Sequence, residues 1–386
     1  MNYPVIYIDD TRTLKEAIDI LSGKSEVFID LEFDKNHFRY GFNLCLMQIF
    51  DGEKCYLIDP LGNVEIERIF PILESPTIEK VCFAFGEDMR LLHHLGCKPV
   101  NILDLATVRS LLNRSTLSLS NSLVEELGKK PQISQQKSNW FERPLSADQI
   151  AYAVEDVIYL PELKQVLLDD ISSLNRTEWV EQEKDLLSRG DWSEAVAGEI
   201  VPQKDRKLMT MREWIRYTFL MEFRDQAAQK FNRPAFKVID KNVMLELAKN
   251  PHHAKEWNGL KGIHRNLRND TIRERIEDLL RQAERSINEQ GISAEQSSRP
   301  FLDKGSKLRL AQMKKRISFE KDAIFLPIKS EISKDLGEHL ANFLLSNRRI
   351  TGIIEGKIEL LPYQKSLLNQ YTELLKLPVS SALSED

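Results

Sequence analysis

Cysteine is scarce in this chain of 386 residues: only Cys45, Cys55, Cys82 and Cys97 occur, and no two form a C-x-x-C pair. That leaves neither a disulfide framework nor a zinc cluster, and reduced, buried thiols in a cytoplasmic protein are the expectation. Long apolar runs are lacking too. Nowhere do 18 apolar residues follow one another, so no membrane span and no membrane partner is expected. Residues 1–10 lack the basic start and apolar stretch of a secretory leader. No G-x-x-x-x-G-K-[ST] loop is present, since Gly128, Lys129 and Lys130 have no earlier glycine at the required spacing; this removes ATP as a ligand and helicases as a class. What remains, with 42% hydrophobic and 29% charged residues, is the composition of a globular protein with room for two or three domains.

The net charge of −5 hides a division. Residues 1–200 carry 20 basic and 34 acidic side chains, a net of −14, and residues 201–386 carry the other 34 basic and 25 acidic, a net of +9. An acidic half joined to a basic half fits a site that gathers cations beside a surface that gathers anions. Two solvated surfaces of unrelated charge fit the same numbers.

The first part alternates short β-like runs with helical patterns, which predicts an α/β domain over residues 1–190. Strands are expected at residues 5–8, 27–31, 44–50, 55–58 and 80–83. Helices are expected after Thr11, Gly86, Asp104, Leu119 and Ser146. Residues 190–205 read as a linker. Beyond it the pattern is helical: Trp214, Tyr217, Met221 and Ala228 share one face, Asp240 is a plausible N-cap, Trp257 and Leu260 mark a third helix, and Ile272, Ile276 and Leu279 a fourth. A bundle over residues 207–287 follows. A second polar stretch, residues 288–305, precedes another bundle over residues 306–380, with the stripes Leu336, Leu340, Phe343, Leu344 and Leu367, Leu368, Tyr371, Leu375. The two bundles read as divergent copies of one unit.

Three segments carry candidate chemistry. In VFIDLEF, residues 27–33, a strand's period of two places Asp30 and Glu32 on one face. Two carboxylates on an apolar strand are costly unless paired, and a divalent cation is an effective partner; a strand end with exposed acids is the alternative. In VCFAFGED, residues 81–88, a strand passes through a glycine turn and puts Asp88 in a first helical turn, where acids also serve the helix dipole. Ser146 to Gln149 reads as a capping box, S-x-x-Q, opening a helix that Pro161 kinks or stops. In that helix Tyr152 and Asp156 stand four residues apart on one face, which suits a site and equally a structural hydrogen bond.

In this order, a D-x-E strand, a G-E-D turn and a Y-x-x-x-D helix resemble the three motifs of the DEDD exonuclease superfamily. Tyr152 points to its tyrosine subclass, since no histidine lies between Asn139 and Leu160. The stretches DLEF at 30–33, LMQIFDG at 46–52, LIDPL at 57–61 and KSNWFERPLS at 137–146 are similar to the ribonuclease D family, and residues 207–285 are similar to an HRDC module; the likeness weakens over residues 310–377. Leu31 stands where the family has threonine, and Asn139 where it has aspartate, so Asn139 is given no role.

The resemblance implies a ribonuclease H-like mixed-sheet domain followed by one or two all-α HRDC-type bundles. It also implies two divalent ions, Mg²⁺ or Mn²⁺, held by Asp30, Glu32, Asp88 and Asp156. Asp30 would bridge the ions, Glu32 and Asp156 would hold the one on the nucleophile side, Asp88 would hold the second through water, and Tyr152 would orient the attacking water. Glu87 would point away, and Asp34 is placed past the strand end. The implied partner is RNA with a free 3′ end, tRNA precursors included, bound by a monomer. Arg212, Arg216, Lys261, Arg265, Arg268, Lys314, Lys315 and Arg316 are the candidates for its phosphates. Two rivals stay open: a 3′→5′ DNA exonuclease with the same acids, since nothing in the site sequence reads a 2′-hydroxyl, and a catalytically inactive RNA-binding scaffold.

Overall fold

The computed structural model describes residues 3–115, 118–130, 133–192, 200–298, 303–378 and Ser380. Six strands, β1 (Val5–Asp10), β2 (Glu26–Lys35), β3 (Phe42–Phe50), β4 (Cys55–Asn63), β5 (Glu79–Cys82) and β6 (Ile102–Asp104), form one mixed sheet in the order β1-β4-β3-β2-β5-β6. The pairs β1/β4, β2/β5 and β5/β6 are parallel, and β3 runs antiparallel to β4. All five expected strands are in the sheet. β6 was not expected, because three residues are too few to show a period. Around the strands come α1 (Thr11–Leu21), α2 (Phe70–Leu73), α3 (Gly86–His94), α4 (Leu105–Leu111), α5 (Leu119–Leu127), α6 (Ala147–Ile158), α7 (Leu160–Ser173) and α8 (Thr177–Arg189). Pro161 sits in the first turn of α7, where its missing N–H costs nothing, so it starts a helix and divides α6 from α7. No helix among the described residues is long and apolar enough to cross a membrane. All four cysteines are free and buried.

The chain divides into two compact units, one of residues 1–32, 45–194 and 303–386, the other of residues 33–44 and 195–302. In the first, both sheet faces are buried. One carries Phe28, Leu46, Phe50, Leu57 and Val81 and is covered by apolar side chains of α4 to α8, among them Val108, Ala153, Val157, Leu163 and Val180. The other carries Val27, Ile29, Ile49 and Ile58.

The same core continues into the C-terminal helices α13 (Lys304–Glu320), α14 (Leu326–Asp335), α15 (Glu338–Leu344), α16 (Asn347–Ile354) and α17 (Pro362–Leu374). Leu340, Leu344, Leu367, Leu368 and Tyr371 of the expected stripes are buried in it. Polar contacts fix the seam. The Tyr363 ring stacks on Trp179 at 4.8 Å, its hydroxyl donates to Glu183 at 2.6 Å, and Asn113 Oδ1 accepts from the backbone N–H groups of His339 (2.9 Å) and Leu340 (3.2 Å). These helices therefore share a core with the sheet instead of closing on themselves.

In the second unit, α9 (Met211–Lys230) starts from a capping box of Thr210 and Glu213 and buries Trp214, Tyr217, Met221 and Ala228. Such a box contributes about 1 kcal/mol. Short α10 (Ala235–Val238) is followed by α11 (Lys241–Lys249), capped by Asp240, and by α12 (Asp270–Glu289). Between them Pro251–Gly259 is 3-10 helix, not the expected α-helix, and Leu260 lies just past its end. Trp257 is fully buried there and donates its indole N–H to the Leu267 carbonyl at 2.7 Å. Of the two expected linkers, residues 193–199 and 299–302 lie outside the described residues.

Gly337 tests the seam. Its φ is +103°, and a Cβ there would fall 1.8 Å from Asn113 Nδ2, the side chain that receives the start of α15. Gly337→Ala is expected to lower the melting temperature by more than about 4 °C in differential scanning calorimetry. An unchanged melt would show that the C-terminal helices are not seated as described.

Candidate active site

β2 presents Asp30 and Glu32 on its helix-covered face, and Leu31, 5% exposed, on the other. Across from them α6 begins at the expected capping box: Gln149 N–H donates to Ser146 Oγ at 3.1 Å, and Ser146 N–H donates to Gln149 Oε1 at 3.0 Å. That start sets the phase of the helix, and Asp156 falls on the buried side, 8% exposed. One carboxylate oxygen from each of Asp30, Glu32 and Asp156 lies within 4.8 Å of the others.

Asp88 arrives from β5. After Cys82 the chain turns through Ala84, which adopts a left-handed φ of +57°, and enters α3, whose first turn carries Asp88 at 7% exposure. The turn is held by Asp104, a residue that sequence reasoning had read only as a helix start. Its carboxylate accepts from the N–H groups of Ala84 (2.7 Å), Phe85 (3.1 Å) and Ala106 (2.9 Å), so one side chain ties β6, the strained turn and the start of α4. An N-capping aspartate alone is common; what the sequence could not reveal was that a turn 19 residues earlier shares its oxygens.

Electrostatics set the four acids apart. Burial first, and then Asp88, push the Asp30 carboxyl well above the usual carboxylate range. Burial, Asp30 and Asp156 do the same to Glu32, and burial and Asp30 to Asp156. Asp88 is raised to about 7, mainly by burial and further by Asp104 and Glu87. Among the described residues, no basic side chain is a main cause of any of these shifts. Two like charges at 4.8 Å repel by about 3 kcal/mol at an effective dielectric constant of about 20. The donor set is therefore oxygen-only, half-buried at Asp30 and buried at Glu32 and Asp156, and without a counterion among the described residues, which is the chemistry of a hard divalent cation site. Asp30, Glu32 and Asp156 fit such an ion directly; Asp88 lies outside that close group, but its charge reaches Asp30 and Glu32.

Tyr152 stands one turn before Asp156, close enough for each to shift the charge of the other. Burial, and then Asp156, Glu32 and Asp30, push its phenol far above the ordinary value, so it stays protonated. Glu87 is exposed and paired with Arg90, as expected of a residue pointing away. Asp34 requires a correction: it lies inside β2 and is buried, and it is kept from the site by accepting N–H groups of His37, Phe38 and Arg39. Asn139 caps a local turn, accepting from Phe141 N–H and donating to Glu142.

The expected phosphate contacts divide. Arg212 and Arg216 both pair with Glu284, tying α9 to α12, and Arg216 also donates to the Ala248 carbonyl at 3.1 Å. Arg316 pairs with Glu320, and Arg268 Nε donates to the Ile263 carbonyl. Lys261, Arg265, Lys314 and Lys315 are exposed, with no ion-pair partner among the described residues.

Because folding raises these carboxyl pKa values, their contribution to stability is present below the ordinary carboxylate range and lost as pH rises through the folded values, about 7 for Asp88. Asp59 and Glu79, held below the usual range, stay ionised across that window and do not mask it. The chelator-treated protein is expected to melt lower at about pH 8 than at about pH 5.5, and saturating Mn²⁺ to raise the melting temperature more at the higher pH. A Mn²⁺ effect independent of pH would contradict this reading of the cluster.

Comparison with known proteins agrees with the geometry. A 3′-5′ exonuclease family model matches residues 5–172. Ribonuclease D of Desulfotalea psychrophila is 27% identical over 334 residues, covering 82% of this chain and 85% of that protein. Ribonuclease D of Escherichia coli is 33% identical over 162 residues, 42% of each chain. The crystal structure of E. coli RNase D, described as an exoribonuclease involved in structured RNA processing, superimposes with a TM-score of 0.68 over 97% of this chain and 99% of that one, at 22% identity. The catalytic core of RRP6 from Trypanosoma brucei shares the fold at a TM-score of 0.63, covering 74% of this chain and 81% of that one, at 21% identity. The chain carries a hydrolytic 3′-5′ exonuclease domain over residues 5–172 and is similar to ribonuclease D over most of its length.

Proposed function

We propose that this chain removes nucleoside 5′-monophosphates one at a time from the 3′ end of structured RNA, tRNA precursors included, acting as a monomer. The observation that carries the reading is the convergence of Asp30, Glu32 and Asp156 within 4.8 Å, with Asp88 near enough to shift their charge. Two divalent ions, Mg²⁺ or Mn²⁺, would be held by these four acids and would supply an activated water and charge compensation for the leaving 3′ oxygen. Asp30, at the centre of the like-charge interactions, is the residue suited to bridge both. Glu32 and Asp156 would hold the ion on the nucleophile side, and Asp88 would help hold the other.

Tyr152 donates its retained proton and orients the attacking oxygen; a phenol raised this far does not serve as a base. Asp104 keeps Asp88 in register by fixing the Ala84 turn. Residues 207–287 act as an HRDC domain that holds the RNA body, with exposed Lys261 and Arg265 on phosphates. Residues 306–380 are a second HRDC-like bundle incorporated into the catalytic unit, offering Lys314 and Lys315. Arg212, Arg216 and Arg316 are engaged by Glu284 and Glu320 and contribute less than their number implies.

The expected result for Asp30→Asn or Asp156→Asn is a loss of at least about 10³-fold in turnover of 3′-labelled RNA, with a melting temperature at or above that of the chelated wild type, because one buried like charge is removed. Near-normal turnover by either variant would sink the assignment.

A further inference from the structure

Gln48 is the one side chain among the described residues that is fully buried with both polar atoms of its amide lacking any hydrogen-bond partner. It lies on β3, the hydrogen-bonded neighbour of β2. The short connection between these strands, residues 36–41, makes them run in opposite directions. Phe28 of β2 and Phe50 of β3 meet on the helix-covered face, ring to ring at 6.1 Å. Two residues further along β2 from Phe28 stands Asp30. Two residues back along β3 from Phe50 stands Gln48, which is also paired with Leu57 of the same face on β4. The period of two thus places the Gln48 amide beside Asp30, and such cross-strand neighbours have Cβ atoms about 5 Å apart. α6, which brings Tyr152 and Asp156, packs over β4 next to it.

Buried amides are almost always satisfied, and an orphan of this kind marks a missing partner. A leucine or methionine would fill the same space among Leu46, Phe50 and Leu57 at no polar cost. We propose that Gln48 is a positioning residue of the acid cluster, its side-chain Nε2–H donating to the Asp30 carboxylate when the cluster holds divalent cations. A carboxylate engaged with a cation has lone pairs only to offer on its remaining side. A neutral donor steadies it there without competing for the cation, as a lysine or arginine in that place would. The amide thus sets the direction of the shared acid's oxygens, and outer partners of this type are worth about 10- to 100-fold in metal affinity or rate.

This inference rests on the cation reading of the four acids, and its test separates the two. Full-length wild type, Gln48→Leu and Gln48→Met are stripped with chelator, then titrated with Mn²⁺ alone in a calorimeter, melted without cation, and assayed on 3′-labelled RNA. The expected result is a cation-free melting temperature equal to or above that of the wild type, with Mn²⁺ affinity lower by about 10- to 100-fold. The RNA KM stays unchanged while kcat falls. Wild-type affinity for Mn²⁺ in both variants would overturn the role of Gln48 and leave the site reading intact. A lower cation-free melting temperature with unchanged affinity would make Gln48 merely structural and overturn it equally. A wild type that binds no Mn²⁺ would overturn the site reading and this inference together.

Discussion

Three carboxylates brought together at the covered face of a sheet, two from β2 and one from α6, repel one another and a fourth from α3, and the rest of the catalytic unit is arranged to hold them there. Burial and mutual charge together push Asp30, Glu32, Asp88 and Asp156 upward, with no basic side chain of the described residues among the main causes. A fold tolerates such a cluster only where surrounding interactions over-determine it. Here they include a continuous apolar core on both sheet faces, a fully capped α6, and the three N–H groups that Asp104 accepts. An oxygen-only cluster of this kind suits a cation of high charge density.

Charge is divided along the chain as well. The acidic part includes the cluster, and the basic part includes the exposed Lys261, Arg265, Lys314 and Lys315. A basic surface of this kind raises the local concentration of polyanions. The C-terminal helices complicate a simple picture of beads on a string. Through Trp179, Tyr363, Glu183 and Asn113 they join the core of the catalytic unit, while residues 207–287 lie in the other unit.

Much of the site was legible because its pieces obey short-range rules. The alternation in residues 27–33 put Asp30 and Glu32 on one face, the capping box at Ser146 set the phase that aims Tyr152 and Asp156, and Asp240 announced α11. Residues whose importance depends on partners distant in sequence were not legible. Asp104 looked like any N-cap until the Ala84 turn was found on its oxygens. Gln48 stands in the sequence only as part of the LMQIFDG stretch, and nothing local tells that its buried amide lacks a partner. Asp34 was set aside for a reason that proved wrong, since the strand runs past it and loop amides hold it. Arg212 and Arg216 looked like free cations because Glu284 is about 70 residues away in the chain and one helix packing distant in space. The bundle over residues 306–380 read as a separate domain because its stripes are apolar, and a stripe does not say what covers it.

The central claim is that the acid cluster is a cation-dependent centre acting on 3′ ends of RNA. Its most direct test is an RNA duplex with a single-stranded, 3′-labelled overhang, incubated with the full chain in chelator or in Mn²⁺, beside DNA of the same sequence. The account predicts stepwise release of labelled nucleoside 5′-monophosphate from the RNA only when Mn²⁺ is present, with the DNA cut more slowly. Internal cleavage, release from the 5′ end, or equal activity in chelator would contradict it.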